Sequence, residues 1–150
     1  MRSYKSAFTV IELIFVIVVL GILASVALPK FTKTKEMADL GKGRSDVATI
    51  RSAIVNERQK RIIKGDNSWI STLSENSTTL FTGDGVHTLL TYGVTAKTAS
   101  GYWRTTDNGA PYTHYVFRVG DIDCAMTYDS NDGTFDLDDG QDETCNGLVK

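Results

Sequence analysis

The stretch from Phe8 to Leu28, FTVIELIFVIVVLGILASVAL, leaves this chain few choices. Its twenty-one residues carry three polar side chains, Thr9, Glu12 and Ser25. As a helix rising about 1.5 Å per residue it is roughly 32 Å long, which matches the ~30 Å hydrocarbon core of a bilayer. The apolar run is continuous, not periodic, so it does not read as the half-buried helix of a globular domain. In front of it stands a basic leader, residues 1–7, with Arg2 and Lys5 and no acid. A secretory signal peptide has a shorter apolar core followed by a small-residue cleavage site. Here the small residue, Ala7, precedes the run. The expectation is a cut between Ala7 and Phe8 that removes the leader and leaves the helix in the membrane.

Glu12 makes the segment specific. A carboxylate at mid-bilayer costs about 2.5–3.5 kcal/mol on insertion scales, so an intramembrane Glu is read first as a functional residue. The alternative is a side chain close enough to the end of the run to reach the headgroups. Cleavage before Phe8 would create an α-amine about 6 Å along the helix from Glu12. Amine and carboxylate can then pair, within one chain or between neighbours, and set the axial register of a helix bundle.

Ala7-Phe8-Thr9-Val10-Ile11-Glu12 followed by the apolar run resembles the class III signal of type IV pilins and type II secretion pseudopilins, the N-methylphenylalanine type. The resemblance implies that a prepilin peptidase cuts before Phe8 and methylates the new amine, and that Glu12 is the assembly residue. Gly21 and Pro29 fall where many members have them, and Ala7 stands where the family normally has Gly. The motif covers about the first third of the chain. A looser likeness to the major pseudopilin of type II secretion continues through Lys35–Asp39 and Ser45–Val47. The implied function is a structural subunit, not an enzyme, held in the bacterial inner membrane by one span with its C-terminal domain in the periplasm. Its implied partners are copies of itself, other pilins or pseudopilins, the peptidase and the inner-membrane assembly machinery. A pseudopilus of type II secretion is the first expectation. A type IV pilus for adhesion, motility or DNA uptake is the second, and a periplasmic enzyme or binding domain on an uncleaved anchor is the rival of another class.

Beyond the span, the expected architecture is α+β: a long N-terminal helix packed on a small antiparallel sheet. Residues 29–64 read as an amphipathic continuation of the helix. Val47, Ile50, Ile54 and Ile62, with Ala53, recur at helical spacing, opposite Arg51, Arg58, Lys60 and Arg61. Pro29 takes an N–H from the helix and, with Gly21, brackets its softest part. Gly41 and Gly43 each cost about 1 kcal/mol in a helix interior and mark a weak point. Residues 65–85 read as a connecting loop with one helical turn at Trp69–Leu73. Strands are expected at Val86–Val94, Tyr102–Thr106, Tyr112–Val119 and Ile122–Tyr128. Asp107-Asn108-Gly109 and Gly120-Asp121 supply the turns.

Charge is lopsided although the net is only −2. Residues 30–64 hold ten Lys/Arg against four Asp/Glu, and residues 121–143 hold nine Asp/Glu and no Lys/Arg. The basic run lacks the interleaved aromatics of a single-strand binder, so nucleic acid is expected as a partner only of a DNA-uptake pilus. Catalytic constellations are thin, and His87 and His114 read as surface or sheet residues. Cys124 and Cys145 invite a disulfide in an oxidising compartment, with two separate thiols as the alternative. A C-terminal disulfide loop also resembles that of type IV pilins. Inside it, Asp129, Asn131, Asp136 and Asp138 belong to a tandem Asp-x-(Asn/Asp)-Asp-Gly pattern that offers oxygen ligands to a hard cation. Major pseudopilins carry a calcium site in this region, so a structural Ca²⁺ is implied, though no cofactor is required; pairing with the basic face of Arg51–Lys64 and an acidic loop left in water are the alternatives.

Overall fold

The computed structural model describes residues 8–109 and 111–150, so Ala7 and the rest of the leader lie outside the described residues. Two compact units are distinguished, the first ending at Lys35 and the second covering Glu36–Lys150. One helix, α1 (Val10–Ile63), supplies the described part of the first unit and the opening of the second.

In the first unit α1 begins with Thr9 at the N-cap and Glu12 three residues on. Its hydroxyl side chains are satisfied locally: Ser25 Oγ donates to Ile22 O, Thr32 Oγ1 to Leu28 O and Thr34 Oγ1 to Lys30 O. Helical assignment continues through Pro29, although proline leaves the Ser25 carbonyl without its N–H partner. No apolar side chain in the span is buried by this chain. The helix is long and apolar enough to cross a membrane.

In the second unit, α1 buries Gly43, Val47, Ile50, Ile54, Glu57 and Arg61. The spacing 4-3-4-3-4 is one face of a 3.6-residue helix. Val47, Ile50 and Ile54 lie where periodicity places them. Ile62 does not join them: it sits about 100° round from Arg61 and stays 49% exposed, while Arg61 takes the buried position. Gly43 is not simply a weak point. A Cβ there would meet Phe117 Cε1 at 2.5 Å and Leu148 Cδ2 at 2.6 Å, so the missing side chain is what lets α1 approach the sheet. Gly41, by contrast, has open space around it.

Against this face lies a four-stranded antiparallel meander of β3 (Trp103–Thr105), β4 (His114–Val119), β5 (Ile122–Asp129) and β6 (Thr134–Leu137). The β4–β5 hairpin has the expected two-residue turn, with Val119 opposite Ile122 and Gly120 at φ +58°. Along β5, Cys124, Met126 and Tyr128 alternate into the core. The β3–β4 connection is longer than the tight turn expected, running from 106 to 113. Asp107 pins it by accepting the N–H groups of Thr113 and His114. Sequence reading missed β6, in which Phe135 is buried. A second, two-stranded sheet pairs β1 (Thr79–Leu80) with β2 (Val94–Thr95).

Two expected elements are absent. Val86–Val94 is not a strand; only Val94 joins one, and Val86 is 83% exposed. The Asp84 carboxylate captures the N–H groups of Val86 and His87 and turns the backbone there, with Gly83 and Gly85 at positive φ. Trp69–Leu73 is not a helical turn either. It runs without helix and is tied to the sheet, with Tyr128 Oη donating to Ile70 O and Thr72 Oγ1 to Tyr112 O. The segment 65–85 therefore contributes to the core and is not mere connection: Ile70, Leu73, Leu80 and Phe81 are all buried. Phe81 sits among Trp103, Tyr115 and Phe135, with centroids 4.8–6.0 Å away. It holds φ +62°, a conformation costing about 1–3 kcal/mol, which aromatic pairs of about 0.5–1.5 kcal/mol each can offset. Cys124 and Cys145 form a buried disulfide that ties β5 to the 3-10 turn Glu143–Leu148.

The two helix glycines separate by their surroundings. Gly43→Ala should destabilise the second unit by about 1–3 kcal/mol through overpacking. Gly41→Ala should stabilise it by up to about 1 kcal/mol. At about 4–8 °C per kcal/mol, thermal melting of the detergent-solubilised chain resolves the two. Equal shifts for both variants would refute the close approach at Gly43.

Candidate functional site

The start of α1 is a reciprocal cap. Thr9 N and Thr9 Oγ1 both donate to Glu12 Oε2 at 2.8 Å, and Glu12 N donates to Thr9 Oγ1 at 3.3 Å. This is a capping box, in which the N-cap hydroxyl and the carboxylate three residues later satisfy each other's backbone N–H. Glu12 is thus aimed at the helix N-terminus, toward the junction that processing would cut. There the carboxylate meets the positive end of the helix dipole. Thr9 was the residue that sequence reading overlooked, although Thr-x-x-Glu before an apolar run is its signature. Phe8 stands next to the cap, 83% exposed. Ala7, its partner in the expected cleavage, lies outside the described residues.

From this cap the apolar surface continues without interruption. Ile11, Phe15, Leu23 and Leu28 are among its exposed side chains. A Cβ at Gly21 would meet nothing, so Gly21 leaves a shallow notch on the helix, and Pro29 follows two turns later. Such a surface is stable in water only if lipid or other helices cover it.

At the other end of the chain, the four expected cation ligands are not brought together. Asp129 Oδ1 accepts from Asn131 N and Nδ2 at the β5–β6 turn. Asp136 is on β6 and pairs with Arg51 of α1. Asp138 accepts from Thr127 Oγ1 at 2.7 Å. Among the described residues no three acidic, His or Cys side chains converge as a metal cage. The four do not fit one cation as a set. Asp136 and Asp138 do line a shallow pocket with Asp139, Gln141 and Asn146.

The histidines mark a feature that charge composition concealed. His87 is in a loop, not a strand, and its Nδ1 lies 2.7 Å from Arg61 Nη2 and 3.1 Å from Asp84 Oδ2. Arg61 also reaches Asp84 at 3.1 Å, Asp66 at 3.5 Å and Glu57 at 3.6 Å. Glu57 and Arg61 are both buried, so this cluster holds the end of α1 to the loops at 66–69 and 84–87. Removing one member of a buried pair typically costs 3–5 kcal/mol. His114 is exposed on β4 and pairs with Asp107 at 2.8 Å. Nothing in either cluster places a nucleophile beside a base.

Comparison with known proteins adds to this geometry. Residues 2–28 match the family described as the prokaryotic N-terminal methylation motif. Type II secretion system core protein G of Aeromonas hydrophila is 44% identical over 53 residues, 35% of this chain and 37% of that protein. The same protein from Pectobacterium carotovorum is 45% identical over 50 residues, 33% of this chain and 32% of that one. From Klebsiella michiganensis it is 34% identical over 85 residues, 57% of this chain and 56% of that one. The aligned regions thus span between about a third and just over half of these relatives. No solved structure matches the chain. The chain carries the methylation motif and is homologous to core protein G in several species.

The capped aspartates give the second unit an acid limit. Burial pushes the Asp84 carboxyl up, but hydrogen bonds from His87 and Val86 outweigh it and hold the group below the usual range. Burial likewise raises Asp107, and bonds from His114 and Thr113 outweigh that rise. A lowered folded-state value contributes stability that is present above the unfolded value, about 3.9 for Asp, and lost as pH falls through the folded one. The melting temperature should hold from pH 7 to about 5 and fall below about 4. The double variant Asp84→Asn, Asp107→Asn should melt lower at pH 7 and lose less on acidification. An acid limb of undiminished depth in that variant would assign it to other carboxylates.

Proposed function

We propose that the chain is a structural subunit of a filament of the type II secretion pseudopilus kind, polymerising through α1. One observation carries the reading: a bilayer-length apolar helix surface left uncovered by its own chain, opened by a cap that aims Glu12 at the methylation-motif junction. In this reading the span holds the subunit in the inner membrane, with the second unit in the periplasm. A prepilin peptidase removes residues 1–7 and frees the Phe8 amine. Assembly machinery then moves α1 from lipid into a bundle of like helices, where helix contacts replace lipid contacts. Glu12 meets an ammonium, its own or a neighbour's, and sets the register. Gly21 and Pro29 give that part of the helix room to adjust. Other pseudopilins are the heterologous partners, and the chain performs no catalysis.

A pilus for adhesion, motility or DNA uptake is the second reading, favoured by the buried Cys124–Cys145 bridge, which resembles the C-terminal loop of type IV pilins. A structural Ca²⁺ is proposed for the second unit, and the oxygen-rich lining of the pocket with Asp136, Asp138, Asp139 and Gln141 supports it. Melting in EDTA and in millimolar Ca²⁺ tests it. A site filled a hundredfold over its dissociation constant adds about 2.7 kcal/mol, and identical curves would remove the metal from the account.

Mass spectrometry of the native N-terminus should find a methylated Phe8; an intact Met1 would overturn the filament reading in favour of an uncleaved anchor. Glu12→Val should leave membrane insertion and the second unit's melting temperature unchanged while filament incorporation falls by about tenfold or more, as expected for losing a desolvated charge pair. Normal incorporation with normal cleavage would refute charge pairing at Glu12.

A further inference from the structure

The face of α1 just beyond the apolar run is unpartnered. Lys30, Lys33 and Lys35 stand on less than two turns of helix, all exposed, and none makes an ion pair among the described residues. The segment 30–35 contains no acid, and the next one, Glu36, lies against Gly120. On the second unit, Asp139 and Glu143 flank the 3-10 turn with Asp142, and all three are exposed without an ion pair among the described residues. Several other charges of the unit pair internally, Arg51 with Asp136, Arg104 with Asp123 and Arg61 with Asp84, while Lys64, Glu75, Lys97 and Lys150 also stand outside any ion pair among the described residues. The lysine collar, with no acid in 30–35, and the acidic turn, with no base in 139–143, are runs of opposite charge that complement each other.

We infer that the collar Lys30, Lys33 and Lys35 of one copy docks on the acidic surface at Asp139, Asp142 and Glu143 of a second copy. The inference rests on the filament reading. In the membrane the collar follows Leu28 at headgroup level, where lipid phosphates neutralise it. When α1 leaves the bilayer those phosphates stay behind, and three lysines in the filament need new anions. A second copy brings them at no cost in desolvating any pair already made. At physiological ionic strength the screening length is about 8 Å, so the two patches act on each other only near contact and favour one docking register.

The test uses the full chain in cells that assemble it. Filaments grown from mixed light and nitrogen-15 copies are treated with a carbodiimide, which joins only touching amines and carboxylates. Light–heavy peptides linking the collar lysines to Asp139, Asp142 or Glu143 are expected. Reversal of the collar, Lys30→Glu with Lys33→Glu, should lower filament yield about tenfold or more, as should Asp139→Lys with Glu143→Lys, which spares the Asp142 cap. The fourfold swap should restore most of the yield. Filaments without such cross-links, or reversals without effect, overturn the docking alone. Loss from collar reversal that the swap fails to rescue, with reduced retention on anionic vesicles, assigns the collar to lipid and also overturns it. Wild-type copies that form no filament overturn the filament reading and the docking with it.

Discussion

The backbone hydrogen bonds of α1 close within the helix itself, and both halves of its task depend on this. A segment in hydrocarbon must satisfy every N–H and C=O internally, because no water is there to do so. Three hydroxyls on the first unit obey the same rule, with Ser25, Thr32 and Thr34 each bonded to a carbonyl three or four residues back. The same ladder then carries a different surface. The continuous apolar run ends at Leu28, and from Gly43 onward the apolar side chains form a narrow stripe that fits under a sheet. What differs between the two parts is the covering, not the backbone.

Within the second unit, close approach at Gly43 and the aromatic cluster around Phe81 hold the middle, while ions hold the end. The stripe on α1 turns from Ile54 to Glu57 and Arg61 without leaving the buried face. A guanidinium there is tolerable because Glu57, Asp66 and Asp84 all lie within 4 Å of it. Their arrangement is more directional than an apolar contact, and it fixes loops that contain little apolar surface of their own. The Cys124–Cys145 bridge does the same for the acidic C-terminal segment. A loop of about 22 residues closed this way is worth roughly 3 kcal/mol in the chain-entropy model.

The parts legible in the sequence are those where one physical signal stands alone. Val47, Ile50 and Ile54 repeat at helical spacing, and β4 and β5 alternate around a two-residue Gly turn. The methylation motif over residues 2–28 was legible for another reason: it is a pattern of sequence and not of packing. Where signals compete, reading failed in understandable ways. Thr134–Leu137 alternates like a strand, with Phe135 inward, but its carboxylate-rich setting hid the pattern. Val86–Val94 has strand composition, yet the Asp84 side chain captures two N–H groups and makes a turn first. Arg61 has the polarity of a surface residue and the spacing of a core residue. Spacing wins because its counter-charges arrive from loops distant in sequence. The Asp-x-(Asn/Asp)-Asp-Gly tandem looked like one ligand set, but Asp129 is engaged in an Asx turn, Asp138 with Thr127 and Asp136 with Arg51, so the four do not converge.

The cap at Thr9 bears on the proposed role of Glu12. A bare carboxylate in the apolar phase is costly, and the cost must be met both before and after assembly. Before assembly the capping box meets part of it, since Glu12 accepts two bonds from Thr9. Both bonds fall on one carboxylate oxygen, Oε2. A carboxylate has about four acceptor sites, so the cap does not exhaust it. An ammonium created at Phe8 can therefore be accepted without giving up the cap. On the filament reading the residue has no need to choose between holding its helix and recognising an amine. The helix start is already ordered when the amine appears, and pairing then loses little entropy in positioning the acceptor.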